Sequence, residues 1–320
     1  KSSEISDEVS PEIFDLLLVE ASALGVETSL QKKISGHPVI SDEWMIVTAN
    51  AYASIAGAEI LKDGGTAADA MVAAQSVLGL VEPESSGLGG GGFLIWYDSN
   101  TKQVTTLDGR ETAPSSSQMS QFQNKDGESM KFFEAVIGGL SVGTPGIPAL
   151  MFEAHKKWGN KQWGQLFAYG IGLSENGFMV SNKLSSSIQR DLERLKTFQS
   201  TRDYFIPGNL PLNKGDIIKN QDYGNTLKKI ASSGIDEFYL GNIADDIIDT
   251  VKHANNNPGY LHKEDLKNYK VIERKPICIN YKIYDICGMG PPSSGGIAVA
   301  QIFKILENFD LETLNNLDPI

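Results

Sequence analysis

The chain is poor in the residues that most often carry catalysis or bind metal, with 2 cysteines and 4 histidines among 320 residues. Cys278 and Cys287 form no CxxC pair, so they specify neither a disulfide scaffold nor a zinc site. They fall on neighbouring strands of one expected hairpin, where they are two small buried hydrophobes or, alternatively, a disulfide. His37, His155, His253 and His262 show no HxxxH or HExxH spacing, so no metal is expected. No run of about 18 apolar residues is present, and no transmembrane helix is expected. Positive charge is also scarce: 28 Lys and Arg against 40 Asp and Glu leave a net charge of −12. That balance argues against a nucleic-acid partner, which needs clustered cations.

At 320 residues the chain is one large domain or two smaller ones. Residues 1–43 read as a loosely attached, acidic lead-in. Its apolar stretch, residues 13–19, contains Asp15 and is followed by Glu20, so it is a short helix opened by Ser10-Pro11 rather than a signal-peptide core. The chain opens on Lys1, as a processed or trimmed polypeptide does, and any signal is expected to be gone already. Residues 44–320 form the expected domain. Helices are expected over 50–62, closed by Gly64-Gly65, and over 67–80, opened by a capping box from Thr66 to Asp69. Strands Phe93–Asp98 and Gln103–Asp108 form a hairpin through Ser99-Asn100-Thr101. Thr144 and Pro145 then cap and start a helix reaching Trp158. Further helices are expected at 161–176, 182–197, 223–233, 242–254 and 297–308, with a second hairpin at 270–287. Helices flank hairpins, so the class is α+β with largely antiparallel sheets between helices.

Gly87-Leu-Gly-Gly-Gly-Gly92 is the most informative segment. Four glycines in a row cost backbone entropy, so the segment needs unusual φ values or very close backbone approach. It matches GxGxxG, but a helix precedes it and a strand follows, the reverse of a dinucleotide site. Tight packing of the loop against a neighbour is the better account. Ser293 and Ser294 lack the glycines of a nucleophile elbow and read as a turn and N-cap for the last helix. Ser99 and Lys102 match SxxK by chance, in a hairpin turn. Glu82 and Glu84, like Asp245 and Asp246, read as solvated charge or helix-dipole complements. Arg110, just after the first hairpin, differs in kind. Its rigid fork matches a carboxylate bidentately, Gly109 would let a ligand approach, and Pro114 stiffens the exit. The plainer alternative is a structural ion pair. The chain thus holds an anchor and no visible machinery for bond breaking.

At these motifs the sequence resembles the large subunit of a gamma-glutamyltranspeptidase, of the N-terminal nucleophile hydrolase superfamily. Residues 58–70, 88–93, 108–114 and 143–146 carry the resemblance, joined by 236–239, 264–266, 291–296 and 305–310. The resemblance implies a four-layer αββα sandwich, with this chain as the large-subunit half of a self-cleaved precursor. It implies that the nucleophile is the N-terminal threonine of a separate small subunit, so no catalytic residue and no cofactor belong to this chain. Arg110 would hold the substrate's α-carboxylate. The implied reaction transfers or hydrolyses the γ-glutamyl group of glutathione and related compounds, in a periplasmic or extracellular setting. The family's large subunit usually runs further than Ile320 before the cut. A glutaryl or cephalosporin acylase of the same family, or a non-catalytic ligand-binding homologue, fits the same residues.

Overall fold

The computed structural model describes Lys32 and residues 35–311. The helix expected near residues 13–19, and most of the lead-in, lie outside them.

Helices α1 (Ala51–Lys62) and α2 (Ala67–Val81) form the small-residue centre of the fold. Ala53, Ala56, Ala58, Ala70, Ala73 and Ala74 are all buried between or beside them. A side chain at Gly57 would press on the Ala70 carbonyl at 3.2 Å, which shows how nearly the two backbones touch. Small residues permit that approach, and the contact replaces water with close-packed apolar surface. Asn50 caps α1 by accepting the Tyr52 amide, and Thr66 and Asp69 form the expected capping box on α2. The Asp69 carboxylate also accepts amides from Asn160 and Lys161, across a wide sequence gap, at 3.0 and 3.3 Å.

Glu82 corrects the sequence expectation. It is only 2% exposed, not solvated, and it sits at the C-terminal end of α2 where a helix dipole disfavours an anion. Two donors offset that cost: Asn50 gives its amide to one oxygen at 3.0 Å and Lys183 its ammonium to the other at 2.6 Å. The end of α2 is thereby tied to the start of α1.

Strands β1 (Gly92–Asp98) and β2 (Gln103–Gly109) pair antiparallel, with Phe93 opposite Asp108. The next helix, α3 (Ile147–Trp158), packs Leu150 and Ala154 against Leu107 of β2. It starts later than expected, with Gly146 as its N-cap. Thr144 is instead held extended by a two-way backbone bridge to Thr112, which outweighs the local Thr-Pro capping signal. A 3-10 turn, Trp163–Phe167, leads into α4 (Ala168–Asn176). The helix expected over 182–197 is α5 (Asn182–Arg190) and a separate turn, Leu192–Leu195, broken at Asp191. Helices α6 (Gln221–Ser233) and α7 (Asn242–Lys252) follow close to expectation. Leu166, Phe167, Leu227, Ile230 and Leu261, all 1% exposed or less, make the main core between them.

The expected hairpin at 270–287 divides in two. Strand β3 (Ile272–Arg274) leaves it to become the third strand of the first sheet, pairing with β2. Pro276, which has no amide to donate, separates β3 from the true hairpin, β4 (Ile277–Tyr281) and β5 (Tyr284–Gly288). Cys278 stands directly opposite Cys287 in that hairpin and the two are joined as a disulfide. The first reading, two small buried hydrophobes, is therefore wrong, and the alternative, a disulfide, is what forms. Cys278 is exposed and Cys287 half-buried, so packing does not account for them.

The last helix, α8 (Gly295–Leu306), lies on the β4–β5 hairpin, with Phe303 against Tyr281 at 4.7 Å between ring centres. Ser294 occupies its N-cap position without a side-chain cap, while the Ser293 hydroxyl accepts the Gly295 amide. No residue of α8 is buried, and Ile302 and Ile305 are more than half exposed along one apolar row. A row of that kind marks a face that another surface covers. The chain expressed alone is expected to self-associate in size-exclusion chromatography with light scattering; a monodisperse monomer would contradict this.

Candidate active-site half

The glycine loop sits between α2 and β1, and none of its glycines has a φ in the left-handed region. Of the two reasons for its composition, close approach is the one that applies. A Cβ on Gly91 would lie 2.6 Å from the Glu111 amide and 2.8 Å from the Cα of Arg110. The Gly90 carbonyl accepts the amides of Gly146 and Ile147 at 2.8 and 3.0 Å, so the loop also closes the N-terminus of α3. Gly109 and Gly146 serve the same packing. A Cβ on Gly109 would stand 2.6 Å from Leu150, and one on Gly146 would collide with the Gly109 carbonyl. Gly109 is thus needed by α3; the expected access for a ligand is not what its surroundings show.

Beside this stack of peptides lies a cleft of about 670 Å³, lined by the glycine loop, Gln75, Glu84, Ser85, Ser86 and Glu111 among others. Among the described residues its lining includes no histidine, lysine or cysteine. Glu111 lines the cleft, and Arg110, the residue before it in sequence, follows the end of β2.

Arg110 is not locked in an ion pair. Its side chain is 57% exposed and its nearest carboxylate oxygen, on Glu111, is 4.0 Å from Nε. A contact that long and that wet contributes little. The nearby acid Asp108 is engaged elsewhere: its Oδ2 accepts Nε of Arg274 at 2.8 Å, and its Oδ1 accepts the main-chain amide of Arg110 at 2.9 Å. On the other side, the Tyr269 hydroxyl donates to the Arg110 carbonyl at 2.8 Å. Tyr269 stacks on Tyr239 at 5.8 Å, and Tyr239 donates to the Pro145 carbonyl at 2.9 Å. Burial, and after it the negative charges of Asp108 and Glu111, push the Tyr269 phenol upward. It stays protonated, and so remains a donor, throughout the neutral range. Burial likewise raises the Tyr239 phenol.

Sequence inspection named Arg110 but missed Asp108, Tyr269, Tyr239 and Arg274. Asp-Gly-Arg does carry a local signal, because an Asp side chain often accepts the amide two residues on. The tyrosines carry none.

A profile of the Gamma-glutamyltranspeptidase family matches residues 53–319. The chain belongs to the gamma-glutamyltranspeptidase family. It is 39% identical over 272 residues to the glutathione hydrolase proenzyme of Bacillus subtilis, covering 85% of this chain and 46% of that relative. It therefore spans about half the length of such relatives. The crystal structure of Helicobacter pylori gamma-glutamyltranspeptidase superposes with a TM-score of 0.83 at 34% identity, covering 88% of this chain and 80% of that one. The cephalosporin acylase of Bacillus halodurans is also similar, with a TM-score of 0.71 at 27% identity, covering 85% of this chain and 53% of that one. The α+β class and the N-terminal nucleophile hydrolase fold are those of this family. In the chain, α3 packs on strands β1 and β2 of the three-stranded sheet, and α8 on the β4–β5 hairpin. Among the described residues, no helix is long and apolar enough to cross a membrane.

Proposed function

We propose that this chain is the large-subunit half of a two-chain γ-glutamyltransferase or glutathione hydrolase, supplying Arg110 as the anchor for the substrate's α-carboxylate. The observation that carries this is a more than half-exposed guanidinium, 4.0 Å from the Glu111 carboxylate, on the residue that precedes Glu111 of the glycine-lined cleft. Half of a divided active site has that character. The partner is a small subunit from the same precursor, whose N-terminal threonine is the nucleophile. Its hydroxyl oxygen forms a bond to the γ-carbonyl carbon while its α-amine takes the proton. The amide C–N bond then breaks, the leaving amine receives that proton, and water or an amino acid later takes the acyl group from the ester. By fixing the α-carboxylate, Arg110 brings the γ-carbonyl to the threonine, which is a positioning effect. The disulfide supports a periplasmic or extracellular setting, since cytosolic thiols are kept reduced.

Likeness to the cephalosporin acylase favours one alternative donor, a glutaryl amide, which also ends in a carboxylate that Arg110 could hold. Kinetics of the assembled enzyme with γ-glutamyl and glutaryl anilides separate the two. The γ-glutamyl substrate is expected to have the higher kcat/KM; a preference for glutaryl would overturn the transferase assignment, and turnover of neither would leave a non-catalytic homologue.

A further inference from the structure

Arg110 has a direction problem that its side chain does not solve. Among the described residues the guanidinium has only the long, solvated contact to Glu111 at 4.0 Å, which fixes its direction weakly. The main chain, by contrast, is held on both flanks. Asp108, 7% exposed, takes the Arg110 amide on one carboxylate oxygen and Arg274 on the other. Arg274 is itself fixed in β3, where its carbonyl accepts the Thr106 hydroxyl at 2.7 Å opposite Thr106 in the strand register. Tyr269 takes the Arg110 carbonyl from the other flank and rests on Tyr239. Gly91 closes over the Arg110 Cα, so the backbone cannot relax toward the glycine loop.

We propose that Asp108 and Tyr269 are positioning residues for Arg110, setting the aim of its guanidinium at the donor's carboxylate through the main chain. Asp108 makes a carboxylate bridge from the sheet, by way of Arg274, to the anchor; Tyr269 clamps the opposite side. The inference rests on the reading of Arg110 as the carboxylate anchor, and it deepens that reading.

The test uses the assembled two-chain enzyme and two donors, γ-glutamyl-p-nitroanilide and 4-aminobutanoyl-p-nitroanilide, which lacks only the α-carboxylate. The readout is the ratio of their kcat/KM values, which a general loss of folded enzyme does not change. Asp108→Ala is expected to lower that ratio roughly ten-fold, the effect of a misplaced binding group and less than that of removing the guanidinium itself. Tyr269→Phe, which keeps the stacked ring, is expected to lower it less and in the same direction. Adding Asp108→Ala to Arg110→Ala should lower the ratio no further, because the two act through one guanidinium. An unchanged ratio in both single variants, or a further drop in the double variant, overturns the inference. If Asp108→Ala does not assemble, an unchanged ratio in Tyr269→Phe overturns it alone. If Arg110→Ala itself leaves the ratio unchanged, the anchor reading falls first, which distinguishes the two failures.

Discussion

Arg110→Ala in the assembled enzyme is expected to raise KM for γ-glutamyl donors by about thirty-fold while leaving the unfolding midpoint almost unmoved. Truncating one partner of a close charge pair costs about 2–5 kcal/mol, and each 1.4 kcal/mol is tenfold in affinity. The low end applies because the guanidinium is 57% exposed rather than sealed from water. Folding should hardly notice the change, since the side chain's ionic contact with Glu111 is long and solvated. Arg110→Lys keeps the charge but loses the planar fork, so its KM should fall between the two. Steady-state kinetics with γ-glutamyl-p-nitroanilide beside a urea titration decide it. An unaltered KM with a large loss of stability would show Arg110 to be structural.

The second large effect lies away from the site. Asp69→Ala is expected to destabilise the fold by about 3 kcal/mol: about 1 for the helix cap, and about 1 or more for each backbone donor left unpaired. Asp69 is fully buried, and besides closing the α2 box it accepts the amides of Asn160 and Lys161. His155, with its ring nitrogen 3.6 Å from the same carboxylate, would lose a neighbour as well. Asp69→Asn retains an acceptor and should cost less. Urea unfolding of the assembled enzyme measures both. A midpoint for Asp69→Ala indistinguishable from the parent would mean that the turn after α3 finds other partners.

Asp69 also shows where sequence inspection stopped. Thr66 and Asp69 announce a capping box because both partners lie within one helical turn. The other half of the same carboxylate's work joins residues 91 and 92 positions apart, and no local pattern encodes it. Glu82 was misread for the same reason, its partners being 32 and 101 positions away. Thr144-Pro145 gave a sound local signal that a distant strand-like bridge to Thr112 overrode. Helices α1 and α2, by contrast, were legible nearly to the residue, because small apolar spacing and caps are local properties. At the site, Arg110 stood out through its motif. Its supports did not, since Arg274 and Tyr269 meet residues 108 and 110 only through the fold.

The peptide stack at the cleft also divides its glycines by what a substitution would meet. Positions 91, 109 and 146 admit no substituent, because backbone or packed side chains already occupy the space. Among the described residues, apart from their chain neighbours, no atom lies within 4 Å of a Cβ grafted on Gly87 or Gly89, and neither has a left-handed φ. Side chains planted at 87 and 89, both on the cleft's lining, are therefore the substitutions this packing tolerates.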